Sequence, residues 1–156
     1  MFGRIMVVTG LVATAGLGLA AAQGYRGAAS GDALRLHVLT ALATVLVFIL
    51  AHAWVLFYLV GASRVIAESA REAGREGVLE PALTHFGRRV LPPLLGALAA
   101  VLALFLAGVG VYARELSAAV HGDLFWLVVV LELWAAWGEW RALVSSERAV
   151  AGLQAA

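Results

Sequence analysis

Five ionisable side chains lie within or at the edge of long apolar stretches: His37, His52, His121, Glu132 and Glu139. Any chemistry this chain performs must use them. Imidazole is an axial ligand for haem iron and an acid–base group near neutral pH. A carboxyl group inside a bilayer is expensive, by about 2.5–3.5 kcal/mol on insertion scales, and must find a partner, a water-filled space or a second subunit. Three chemistries follow: haem ligation by a histidine pair, proton transfer along a polar face, and metal coordination by mixed nitrogen and oxygen donors.

Spacing narrows the choice. An α-helix advances about 100° and 1.5 Å per residue. His121, Glu132 and Glu139 are separated by 11 and then 7 residues, so their directions agree within about 20°. Glu132 then sits about 16 Å below His121, and Glu139 about 27 Å below. His37 and His52 are 15 residues apart and share a broad face, about 60° and 22 Å apart. With His37 and His121 level, His52 falls between the two glutamates in depth, and is the expected hydrogen-bond partner of Glu132. That polar face admits three readings: a buried contact fixing helix register, a proton relay or metal-facing set, or a contact with another subunit.

The histidine pair carries the sharper expectation. His37 and His121 fall at the outer ends of two different apolar stretches, at one depth. One b-type haem between them would take both as axial iron ligands, with second-shell acceptors orienting the rings. Arg26, Arg35 and Arg114 are the basic residues on that side for its propionates. The bland alternative is that histidine at a membrane boundary is unexceptional. A second haem at His52 would need His85, which lies outside the third apolar run.

The elements that must position these residues are transmembrane helices. The 156-residue chain is 63% hydrophobic and 13% charged, against roughly 45–50% and 25% for soluble domains. Four stretches reach the length of a helical span, about 20 residues: residues 5–22, 37–60, 90–112 and 123–144. The first resembles a signal peptide, but it is long for a signal core and completes an even helix count, so it is read as a retained span. Eight arginines fall on one side (Arg4, Arg64, Arg71, Arg75, Arg88, Arg89, Arg141, Arg148) and three on the other (Arg26, Arg35, Arg114). The positive-inside rule places both termini in the cytoplasm of a bacterial-type inner membrane. The fold class is all-α: one membrane domain over residues 1–156, an up-down four-helix transmembrane bundle.

The outer loops are expected at residues 23–36 and 112–121, with Asp123 capping the fourth helix. A cytoplasmic helical loop is expected over residues 63–89. There the second helix runs past the membrane until Gly74 and Gly77 weaken it, Pro81 suits a new first turn, and Pro92 and Pro93 start or kink the third span. No internal repeat is evident, since polar residues concentrate in spans two and four.

Several functions are excluded. Cysteine is absent, which removes disulfides and thiolate chemistry. Net charge is +1 and all 11 basic residues are arginine, so no nucleic-acid partner is implied. Ser63, Ser69 and Ser117 have no convincing base, and there is no HExxH motif. The tryptophans fit interfacial anchoring and ordinary packing.

The placement of His37 and His121 at helix ends resembles that of small four-helix membrane cytochrome b subunits. The resemblance covers histidine placement and no motif. The leading reading of the chain is a redox or respiratory membrane subunit among other subunits and lipid, passing electrons to or from a quinone or partner cofactor. Two alternatives stand beside it. One is a haem-free structural, assembly or regulatory subunit. The other is proton or metal movement along His52, Glu132 and Glu139.

Overall fold

The computed structural model describes residues 2–27, 31–72, 74 and 86–154. Four long helices follow in order: α1 (Phe2–Gly27), α2 (Gly31–Glu72), α3 (Leu91–Tyr112) and α4 (Ala118–Gln154). Each contains a segment long and apolar enough to cross a membrane. No strand occurs among the described residues. The chain is a multi-spanning membrane protein with the four-helix bundle architecture, as inner-membrane proteins commonly have.

The helices outrun their apolar stretches. At about 1.5 Å per residue, the 42 residues of α2 span about 63 Å, twice the hydrocarbon thickness of about 30 Å. Its last turns, from Ser63 to Glu72, run on past the apolar stretch. Gly74 follows in a left-handed conformation, φ +66°, the usual way a helix ends. Gly77, Pro81 and His85 lie outside the described residues. Leu91 opens α3 with Pro92 and Pro93 in its first turn, where proline costs no hydrogen bond. A wide π-type turn, Phe86–Val90, leads into it. The prolines therefore begin the helix and do not kink it.

Two sequence expectations need correction. The outer loops are shorter than expected, because α1 continues to Gly27, α2 begins at Gly31 and α4 begins at Ala118. Asp123 is consequently inside α4 and caps nothing. Ser117 stands at that helix start, and its hydroxyl accepts a hydrogen bond from the Val120 backbone N–H.

Glycines set the helix packing. A Cβ placed on Gly3, Gly10, Gly16 or Gly24 of α1 would meet, in turn, Tyr58, Ala51, Thr44 and His37 of α2. Those partners descend as the glycines ascend, which is an antiparallel hairpin held at close range. The same α1 surface touches α4, since Gly3 faces Leu143, Gly10 faces Glu132 and Gly18 faces Phe125. α3 pairs with α4 as a second hairpin. α2 and α4 meet across the core and run in the same direction.

The two hairpins repeat one another, contrary to the sequence reading. Buried Ala13, Leu17 and Ala20 of α1 match buried Ala97, Val101 and Leu104 of α3, each 84 residues later. By the same offset Phe48, Ala51, Val55 and Leu59 of α2 match Glu132, Ala135, Glu139 and Leu143 of α4, all buried. His37 matches His121.

Candidate functional site

The polar residues of α2 and α4 form two groups, one at the outer end of the bundle and one in its middle. The middle group is His52, Glu132 and Glu139, each 2% exposed or less. The Nδ1 of His52 lies 2.8 Å from Oε1 of Glu139, and its Nε2 lies 2.7 Å from Oε2 of Glu132. One imidazole thus bridges two carboxyl groups that are two helical turns apart on α4. The Phe48 ring stands edge-on to His52, with centroids 4.6 Å apart. The second oxygen of each carboxyl, Oε1 of Glu132 and Oε2 of Glu139, is buried with no hydrogen-bond partner.

Local sequence explains this arrangement. The 7-residue spacing of Glu132 and Glu139 returns both to one face of α4. Gly10 of α1 lets that face come close, since a Cβ there would stand 3.2 Å from Oε1 of Glu132. Apolar clusters close the group off on both sides. Ala13, Phe48, Val101 and Val128 belong to the outer one. Val7, Val55, Leu59 and Leu143 belong to the inner one.

The outer group is His37 and His121, whose ring centroids are 6.3 Å apart with planes at 85°. The Nδ1–H of His37 donates to the carbonyl of Ala20 at 2.6 Å. That bond fixes the proton on Nδ1 and leaves Nε2 as the nitrogen with a lone pair. The ring packs on Gly24, where a Cβ would approach it to 3.1 Å. The second hairpin does the same with His121. Its ring packs on Gly108, where a Cβ would approach to 3.2 Å, and it interacts with the backbone carbonyl of Leu104. Its Nδ1 is buried without a well-formed hydrogen bond.

In each hairpin the histidine follows its glycine by 13 residues and its carbonyl partner by 17. This glycine-and-carbonyl seat is the feature that sequence reasoning missed. The signal was present as two equal spacings, but a lone glycine 13 residues before a histidine is not informative until the hairpin pairing is known.

Among the arginines assigned to this end, Arg35 and Arg114 are exposed. Arg35 is two residues from His37, a rotation of about 200° on the helix, so it leaves α2 on the opposite side. Arg114 sits in the turn between α3 and α4. The side chain of Arg26 lies outside the described residues.

Among the described residues, no group of three or more histidine and carboxylate side chains is arranged to hold a metal ion. The middle group is a hydrogen-bonded chain. Comparison with family models, curated proteins and solved structures finds no match for this chain. Function must therefore be argued from the two polar groups alone.

Proposed function

We propose that this protein is a membrane subunit of a redox complex that holds one b-type haem between α2 and α4, with His37 and His121 as axial ligands. The observation that carries the reading is the twofold equivalence of these histidines. Two helices present imidazoles at matching positions, each seated on a glycine and turned towards a backbone carbonyl of the preceding helix. Carbonyl hydrogen bonding at Nδ1 is the usual outer-shell support of a metal-ligating histidine, and it frees Nε2 for the metal.

The donor set suits the group. His37 and His121 would hold the iron, and the structure brings their rings together, with centroids 6.3 Å apart. The nitrogen of His121 without a well-formed bond is also what ligand ordering would organise.

When bound, haem supplies a one-electron carrier whose potential follows its axial ligands and surroundings. The chain's own residues do the rest. Ala20 and Leu104 orient the rings, and Gly24 and Gly108 admit them between the helices. Arg114 is the better placed cation for a propionate at the outer end, with Arg35 the weaker candidate. A quinone or a cofactor of a neighbouring subunit is the class of electron partner that such a position serves.

The test is an absorption spectrum of the detergent-solubilised protein, isolated gently with its native partners, before and after dithionite, with haem quantified as the pyridine complex. The expected result is a reduced b-type α band at about one haem per chain, lost in both His37→Ala and His121→Ala. Absence of haem from such material overturns the reading. A haem-free assembly or regulatory subunit then takes its place.

A further inference from the structure

The haem reading makes no use of His52, Glu132 and Glu139, and these three side chains are chemically incomplete. Both ring nitrogens of His52 face carboxyl oxygens at hydrogen-bond distance. Each of these bonds needs one proton, carried by the ring or by the carboxyl group, because two lone pairs do not attract. Two protons therefore occupy the chain in every satisfied arrangement. With two protons its net charge is −1, whether the ring is cationic between two carboxylates or neutral beside one carboxylic acid. A third proton makes the chain neutral, and only Glu132 Oε1 and Glu139 Oε2 are open to it. Both are buried and unbonded.

Among the described residues, no arginine forms an ion pair with this chain, whose bonds are those within it. α1 contributes Gly10, α2 contributes the edge of Phe48, and α3 contributes Ala97 and Val101 to the outer apolar cluster. Tyr58 packs on the inner cluster. Arg4 and Glu147, near the cytoplasmic end, are bonded to each other. An uncompensated charge among such groups is costly, and one proton removes it.

We propose that the Glu132–His52–Glu139 chain is a proton-binding site of the membrane interior, holding two protons in its bridging bonds and exchanging a third at Glu132 Oε1 or Glu139 Oε2. Uptake converts one carboxylate to a carboxylic acid and takes the chain from −1 to neutral. The two glutamates lie on opposite sides of His52, about 10 Å apart along α4. The two open oxygens thus lie at opposite ends of the chain, Glu132 Oε1 beyond one ring nitrogen and Glu139 Oε2 beyond the other. The site stands whether or not haem binds between His37 and His121.

Infrared spectroscopy of the full chain in lipid vesicles tests this, with 13C-labelled glutamate, over the pH range in which the helices persist. The expected result is a carboxylic-acid C=O band of about one group per chain that shifts with the label and rises and falls reversibly with pH. It exchanges with D2O more slowly than the exposed glutamates Glu68 and Glu115, and is missing from the Glu132→Gln/Glu139→Gln variant. The slow exchange identifies the band in the wild-type chain even if that variant fails to fold. Finding no slowly exchanging carboxylic acid at any such pH overturns the proposal, as does a slow band that pH does not change.

Discussion

Gly10 of α1 lies against Glu132 of α4, so that a Cβ at Gly10 would stand 3.2 Å from the unbonded Oε1 and 3.9 Å from the ring of His52. The first helix carries no ionisable group at this depth, yet it determines whether the buried chain can exist. A side chain at position 10 would occupy the space that the carboxyl uses, and would press a methyl group on an oxygen already lacking a partner.

Gly10→Ala is therefore expected to destabilise the bundle by about 1–3 kcal/mol, the usual cost of overpacking a core. Gly61→Ala is the control, because a Cβ there meets nothing within 4 Å. It should be neutral, or stabilising by up to about 1 kcal/mol through helix propensity. Unfolding in detergent, followed by circular dichroism, compares the two. Equal midpoints would show that α1 does not pack on the polar chain as described.

The second expectation concerns His52. Its removal leaves two buried carboxyl groups facing a void on one helix face. His52→Ala should cost about 3–5 kcal/mol, the range for breaking a buried charged pair. Replacing all three members with leucine removes the desolvation burden as well as the bonds, and should be neutral or stabilising by about 1–4 kcal/mol. The same unfolding measurement reads both. A triple variant less stable than the wild type would mean that the polar chain contributes net stability and is not retained for chemistry.

Sequence alone located this chain but not its setting. The 11- and 7-residue separations of His121, Glu132 and Glu139 are near whole numbers of turns, so a single rotation rule aligns them. The depth of His52 between the glutamates follows from the same rule once two helices are taken as level. The hairpin pairing did not follow, because it depends on which glycines meet which partners. The 84-residue repeat stayed hidden for a related reason. What recurs is burial, and the occupants differ: Phe48 stands where the other hairpin has Glu132, and His52 where it has Ala136. The outer loops are shorter than the apolar runs suggest because polar residues such as Gln23 and Arg35 continue the helices past those runs.

The repeat itself makes a prediction. Gly24 and Gly108 hold equivalent places beneath His37 and His121, with Cβ approaches of 3.1 and 3.2 Å. Gly24→Val and Gly108→Val should each displace one ring and lower haem retention to a similar degree, by about tenfold or more, the low end for losing outer-shell support of a metal ligand. Haem content after washing in detergent measures this. A loss confined to one variant would show that the two seats are not equivalent.

Arg114 provides the last test. It is the one non-glycine residue with positive φ among those described, at 64°, in the turn that ends α3. Ala113 N–H donates to the Val109 carbonyl, Arg114 N–H to Val111, and Glu115 N–H to Gly110. This is a helix end of the kind that usually carries glycine, and a side chain there costs about 1–2 kcal/mol. Arg114→Gly should therefore raise the stability of the haem-free protein by about 1 kcal/mol. If the arginine is kept for a propionate, the same substitution should weaken haem retention, whereas Arg35→Gln should change it little. Unfolding of the haem-free chain and haem loss from the loaded chain separate the two effects. A variant that is more stable and holds haem as tightly as the wild type would remove Arg114 from the site, leaving the histidine seats to bind the group alone.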